Sequence, residues 1–401
     1  MGKHKLIFIG LYDEKNFGDP IIAHCTEWLY SQYLQEEFTT SHLCLDYVEK
    51  HNLPIIWRGI GKIIRLFGMN WTKYNDSVIN KEYIRYFRKN IKDADLIIVV
   101  GGGLIKYTYQ YFYAGISGLM DAAEDYGIPI VFNSVGIEGY DVCNKRCMLL
   151  KNALHRRALR YITTRDDIQT LYNCYFDGKP SIPCLKVADP AVWASEAYRV
   201  TRKQSNVIGI GVGRGGLFVD NGKNFSEEQF FSVYIQLIDV LSKQGKTIEL
   251  FTNGMDADNS FARQIQDELH NHNIDIKLKI PHGPKDMVEN IASYKCIIAA
   301  RLHSCIVAYS LEIPAIGFVW NDKLKLWGEN IGAEEFFIEK DNLNIDFIMS
   351  KLERLQCFCY SVTDRDVFRN TIKKTIDEIA QQYIKPYSTV LTKITGGEIK
   401  G

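Results

Sequence analysis

The sequence predicts an α/β protein of two Rossmann-like domains facing each other across a cleft. Three observations carry that expectation. Short apolar runs such as Lys5–Gly10 and Ile128–Ser134 alternate with longer stretches of helical apolar spacing, the pattern of parallel strands joined by crossover helices. The alternation occurs on both sides of Glu196–Asn206, a polar stretch without apolar period that reads as an interdomain linker. The length of 401 residues suits two domains at ~150 residues each. The expected domains are residues 1–200 and 201–340, with residues 341–401 forming C-terminal helices that pack back on the first.

Lys5–Gly10 (KLIFIG) opens the chain as a strand, followed by the loop Leu11–Gly18. Asp19 and Pro20 then read as helix N-cap and first helical residue. Ile21, Ile22, Cys25, Trp28, Leu29 and Tyr33 recur near helical spacing, so this helix extends to about Gln35. Gly18 makes the turn; Asp19 either only caps or, with Asn16, faces a ligand at the sheet edge. Asp95–Val100 is the next strand, and it runs into Gly101-Gly102-Gly103. Three glycines let the backbone approach a ligand, although they form neither GxGxxG nor a P-loop, and a tight connection without ligand fits equally. Tyr107, Tyr109, Tyr111, Phe112 and Tyr113 follow, as a platform for sugar rings or as core and surface. Tyr161–Thr164 is a strand that ends in Arg165-Asp166-Asp167. That places Arg165 at the carboxyl edge where ligands of open sheets bind, or in a surface ion pair with a neighbour. Asp189 before Pro190 ends the first half in a turn.

Val207–Val212 restarts a strand and leads into Gly213-Arg214-Gly215-Gly216, which brings Arg214 toward the cleft. Glu227–Lys243 is helical, Thr247–Thr252 is a strand, and Asp286–Ser293 is a helix. The densest stretch is 296–323. Cys296–Ala300 is a buried strand, Arg301, Leu302, His303 and Ser304 mark the turn into a short helix, Pro314 stops it, and Ala315–Val319 is the next strand. A helix amino terminus at a strand's carboxyl end attracts anions, and this one adds an arginine and a histidine. The histidine is alternatively a core residue bonded to a carbonyl.

Arg301-Leu302-His303-Ser304, followed by Pro314 and Lys323, resembles the carboxyl-terminal signature of the polysaccharide pyruvyltransferases. Asn16-Phe17-Gly18-Asp19 and Gly101-Gly102-Gly103 match upstream, as does Arg165, and the resemblance runs in order over roughly residues 5–335. It implies a GT-B-like arrangement and transfer of the enolpyruvyl group of phosphoenolpyruvate to sugar hydroxyls as a ketal. The donor is phosphoenolpyruvate and no cofactor is implied; the acceptor is a capsule or exopolysaccharide glycan, or its lipid-linked precursor. His303, Arg301 and Asp19 are the catalytic candidates. Arg165, Arg301, Leu302, His303, Lys323, Asn16, Gly18, Gly102, Gly103 and Arg214 are the substrate-binding candidates. The donor carries a phosphate and a carboxylate, and arginine grips either in bidentate fashion. An imidazole near neutral pH suits acid or base work. The competing readings are a nucleotide-sugar glycosyltransferase, with Asp256, Asp258 or Asp286 on the ribose, and a non-catalytic glycan-binding protein.

Composition narrows the setting. Lysine plus arginine and aspartate plus glutamate each number 48, so no general nucleic-acid or membrane field exists. The ten cysteines are scattered; neither close pair, Cys143/Cys147 or Cys357/Cys359, has a second pair to complete a zinc site. No apolar run approaches a spanning helix and Met1–His4 leads straight into a strand, so the expected location is cytoplasmic. Pro54–Trp71 adds a peripheral option: Ile56, Ile60, Ile63, Ile64 and Phe67 share one helical face and Arg58, Lys62 and Arg65 another. A basic amphipathic helix of this kind docks at membrane interfaces, while an ordinary surface helix or a glycine-rich loop also fits.

Overall fold

A computed structural model describes residues 4–34, 38–48, 71–108 and 110–384. The stretch 54–70, with the expected docking helix, and Tyr109 lie outside the described residues. The chain divides into two compact units, residues 1–13, 26–188 and 371–401, and residues 14–25 and 189–370. This differs from the expected boundaries in three places.

Glu196–Asn206 belongs to the second unit rather than forming a linker. Arg202 donates to the carbonyls of Glu312 and Lys295 at 2.7 and 3.1 Å, and the amide of Lys203 to that of Ala292 at 2.8 Å. The segment is pinned to the second unit by the Arg202 guanidinium and the Lys203 amide. Residues 341–370 also belong to the second unit, because Ile348, Leu352 and Leu355 of the helix Ile345–Leu355 are buried there. Residues 14–25 join it as well, although their sequence neighbours lie in the first unit.

The first unit holds a parallel sheet of β1 (His4–Gly10), β2 (Phe38–Cys44), β3 (Leu96–Val99), β4 (Gly102–Ile105), β5 (Ile130–Ile137), β6 (Leu159–Thr164) and β7 (Cys184–Lys186). The order is β2-β1-β3-β5-β6-β7, with β4 also on β5. Strands β3 and β5 are buried at every residue; β3 reads as an unbroken apolar run, and β5 as one interrupted only by the buried Asn133 and Ser134. The helices Trp71–Ile91, Phe112–Tyr126 and Lys145–Leu154 close over a core that includes Tyr83, Phe87, Ile116, Leu119 and Phe132. The aromatic run feeds this core: Phe112 and Tyr113 are buried, Tyr113 donates to Asp76 at 2.7 Å, and Arg146 packs on the rings of Tyr111 and Tyr113 while bonding Asp76.

The second unit has β8 (Ile208–Gly211), β9 (Ile248–Phe251), β10 (Lys277–Lys279), β11 (Cys296–Ala299), β12 (Ala315–Val319) and β13 (Phe337–Glu339). All pairs are parallel, in the order β10-β9-β8-β11-β12-β13. The helix Glu227–Lys243 starts on a capping box between Ser226 and Gln229 and buries Phe230, Tyr234 and Leu237. Phe218, Phe230, Tyr234, Phe261 and Phe318 form one aromatic cluster beside the sheet. The strand order reverses between β8 and β11. In open α/β sheets, the crevice outside the carboxyl ends of the strands flanking that reversal is where ligands bind.

Candidate active site of the second unit

The two strands that flank the reversal end in arginine-bearing loops. Strand β8 continues through Gly213 to Arg214, and β11 through Ala300 to Arg301. Arg301 is the N-cap of the helix Leu302–Ser310, with extended backbone (φ −102°, ψ 129°) and no side-chain cap. The positive end of that helix therefore opens at the crevice. Asp258 is wholly buried in the first turn of the helix Asp256–Asn271. It accepts from Arg301 Nε at 2.9 Å and from Nη2, and from the backbone amide of Arg214 at 2.9 Å. One carboxylate thus fixes both loops. The arrangement needs arginine rather than lysine, because only a planar fork meets a carboxylate in two places. Trp320 Nε1 donates to the carbonyl of Ala300 at 2.5 Å, which ties the loop after β12 to the same edge. Lys323 follows on that loop, half-buried at the second position of the helix Asp322–Asn330.

His303 is buried on the first turn of its helix, with Nε2 at 3.7 Å from Asp189 Oδ2. That separation is too long for a hydrogen bond but serves as an ion pair once the imidazole is protonated. The other oxygen of Asp189 accepts from the amide of Ala191 at 2.9 Å, so the carboxylate cannot swing away. Gly18 covers the opposite edge of the ring: a Cβ there would sit 2.1 Å from His303 Nδ1. Any side chain at 18 displaces the imidazole, which gives this glycine a steric role. The helix Gly18–Ser31 starts at Gly18, so Asp19 and Pro20 lie inside its first turn rather than at its cap. The amide of Asp19 donates to Asn16 O at 3.2 Å. Asn16 Oδ1 is buried with no hydrogen-bond partner among the described residues. The segment is held by the amide of Phe17, which donates to the carbonyl of Asn253 at 3.0 Å, and Ser304 Oγ donates to Asn253 Oδ1 at 2.6 Å.

Burial pushes the Cys305 thiol up to about 12. Burial, with Asp189 and Glu196 adding to it, holds Cys25 well above the usual thiol range.

The order of these features is diagnostic. The sequence profile described as polysaccharide pyruvyl transferase matches residues 16–322, more than half of the chain and every element of the second-unit site except Lys323. The chain belongs to the polysaccharide pyruvyl transferase family. No functionally curated protein matches it. Among solved structures, it is similar to UDP-GlcNAc 2-epimerase from Methanocaldococcus jannaschii, with 13% identity, a TM-score of 0.57, and coverage of 94% of this chain and 99% of that one. The Neisseria meningitidis UDP-GlcNAc 2-epimerase bound to UDP-GlcNAc gives 12% identity, a TM-score of 0.56, and coverage of 94% and 100%. Trehalose 6-phosphate synthase from Burkholderia multivorans gives 9% identity, a TM-score of 0.52, and coverage of 100% and 99%. These are GT-B proteins, and at such identities the likeness establishes the GT-B fold of this pyruvyl transferase family member and nothing more.

The remaining expected residues divide by place. Arg214 pairs with Asp220 through Nη1, and its backbone, not its guanidinium, joins the Asp258 hub. Gly102, Gly103 and Arg165 belong to the first unit. Gly102 and Gly103 are the first residues of β4, packed so close to Gly136 that a Cβ there would lie 3.2 Å from the Gly102 carbonyl. Arg165 is buried at the carboxyl end of β6, so an ordinary surface ion pair does not describe it. Of the carboxylates weighed for a nucleotide ribose, Asp258 is committed to Arg301, Asp256 pairs with Lys15 at 2.7 Å, and Asp286 accepts the amide of His282 at 2.9 Å. Sequence reasoning missed Asn253 and the part played by Asp189. Their only signal was position: each directly follows a strand or precedes a proline at a carboxyl edge.

Proposed function

We propose that this family member is a pyruvyltransferase that moves the enolpyruvyl group of phosphoenolpyruvate onto two hydroxyls of a glycan or its lipid-linked precursor. The observation that supports the reading is the turn at the strand reversal: a helix amino terminus with no side-chain cap, beginning at Arg301, with His303 in its first turn. A donor with a phosphate and a carboxylate suits such a turn. In the reaction, a proton adds to the methylene carbon and makes the neighbouring carbon electrophilic. One sugar hydroxyl attacks it, the carbon–oxygen bond to phosphate breaks, and the second hydroxyl closes the ketal. Of the two hydroxyl protons released, one balances the proton added to carbon and the other leaves with phosphate.

His303 is the proposed proton carrier, with Asp189 stabilising the imidazolium. Arg301, the amides of Leu302 and His303, and Lys323 take the donor's anionic oxygens. Arg165 is proposed to meet an acidic part of a substrate at the edge of the first sheet. The committed carboxylates weigh against a nucleotide-sugar donor. The proposed setting is the cytoplasm, with residues 54–71 docking on anionic membrane where the acceptor is lipid-linked; among the described residues no helix is long and apolar enough to cross a membrane.

The decisive test incubates the purified protein with phosphoenolpyruvate or nucleotide sugars and a panel of glycans, reading phosphate release and product mass. Donor-dependent phosphate with a ketal product is expected, unchanged by chelators; turnover of a nucleotide sugar instead overturns the reading. His303→Asn keeps a hydrogen-bond donor but carries no proton at neutral pH, so the rate at saturation is expected to fall more than donor affinity.

A further inference from the structure

We infer that Asn253 is an additional substrate contact, its amide Nδ2 donating to an anionic oxygen of the donor; this rests on the reading of the site given above. Asn253 stands two residues beyond β9, at the carboxyl edge of the second sheet, and is 1% exposed. Its surroundings are fully engaged. The carbonyl takes the amide of Phe17, and Oδ1 takes the hydroxyl of Ser304. Thr252 Oγ1 donates to Asn259 Oδ1 at 2.6 Å, and Asn259 Nδ2 to the carbonyl of Gly254 at 3.0 Å. Gly254 has φ 96°, and a Cβ there would lie 2.5 Å from the Phe17 ring, so the turn has no room to relax.

Amid this network Nδ2 is buried with no hydrogen-bond partner among the described residues. Buried amide donors are almost always paired, because leaving one unmade forfeits its hydration without return. A rigid turn holding such a donor against Ser304, in the first turn of the helix that follows Arg301, is built for an acceptor that arrives with the substrate. The positive helix end selects an anionic one.

Asn253→Asp is the sharpest probe. It keeps the acceptor for Ser304 and the shape, and replaces the donor by an anionic oxygen. Calorimetric binding of phosphoenolpyruvate, inorganic phosphate and pyruvate to the full-length protein reads the effect and tells which end of the donor is held. Phosphoenolpyruvate binding is expected to weaken roughly a hundredfold, as for a charge-assisted hydrogen bond replaced by repulsion. Phosphate or pyruvate, whichever carries the contacted oxygen, should weaken in parallel, and the acceptor KM should stay within about twofold of wild type. Asn253→Ala, which buries no charge, covers the case in which the aspartate does not fold and is expected to weaken donor binding roughly tenfold. Wild-type donor affinity in a folded variant overturns the inference, as does an equal loss of donor and acceptor affinity, which marks a structural amide. Failure of the wild type itself to bind any of the three probes overturns the underlying reading instead.

Discussion

The two units obey the same topological rule and differ in what they place where it applies. In the first, the strand order reverses between β1 and β3, and the residues there are Gly10, Leu11, Val100 and Gly101, all buried. A Cβ on Gly10 would lie 2.2 Å from a Val100 methyl, and the Gly10 carbonyl is taken by the amide of Leu45. The residues at that reversal are apolar and bring no charge. In the second unit the corresponding reversal carries Arg214 and Arg301 on a buried Asp258. Strand order says where a ligand fits; the residues just past the strand ends decide whether one is held. The first unit instead keeps two buried charges, Arg165 and Asp166, at the end of β6, where Asp166 Oδ1 accepts from Ile137 N, Thr164 Oγ1 and Asp167 N.

The largest effect should come from Arg301→Ala, which strands a carboxylate that has no exposure. Turnover should vanish and the protein lose about 3–5 kcal/mol, the usual penalty for breaking a buried pair. The expectation differs for Arg301→Met combined with Asp258→Leu: stability by denaturant titration returns, and turnover does not. Turnover recovered in the pair would remove Arg301 from the chemistry.

Two glycines separate packing from function. Gly10→Ala should cost roughly 1–3 kcal/mol by overpacking and leave the rate of the remaining folded protein near wild type. Gly18→Ala should lower turnover well beyond its effect on stability, since the displaced group is His303. Equal ratios of activity loss to stability loss in the two variants would deny Gly18 its special place.

A smaller effect concerns pH. Burial raises the Glu196 carboxyl, but bonds from Arg369 and Ser195 outweigh it, and the net value lies below the usual carboxylate range. A depressed folded value means stability that is present above the unfolded value and lost as pH falls through the folded one. Melting temperature should therefore drop on acidification below the ordinary carboxylate range, and Glu196→Gln should flatten part of that drop. The side chain is 38% exposed, so the change is modest. Smallest is Lys323→Met: donor KM should rise a few-fold with little change in maximal rate, because lysine offers a point charge and not a fork. An unchanged KM would remove Lys323 from the site.

Much of this was legible in the sequence, for identifiable reasons. Buried parallel strands are largely apolar, so β1, β3, β5, β11 and β12 stand out, and a strand running into Arg301 and a helix announces its own edge. Strands β2, β7, β10 and β13 did not, because they carry mixed residues such as His42 and Lys277 at the margins of their sheets. The anchoring of Glu196–Asn206 was invisible because it runs through carbonyls, which no side-chain pattern encodes. Asp258 was one of three carboxylates weighed for a nucleotide ribose under the competing glycosyltransferase reading, and it proved to be the mate of Arg301; pairing between residues on different helices leaves no trace in spacing. Asn253 signalled itself by position alone, since a single amide carries no period.

The placement of residues 14–25 has a kinetic consequence. They leave the ribosome before the rest of the second unit, yet they complete it only when Asn253 and His303 exist to receive Phe17 and Gly18. Closing so long a loop is an entropic cost met late in folding. Strands β8–β13 can pair without that segment, so secondary structure forms ahead of the wall against which the imidazole rests. On refolding from denaturant, ellipticity should return first and turnover last, and a chain beginning at Asp189 should recover the former without the latter.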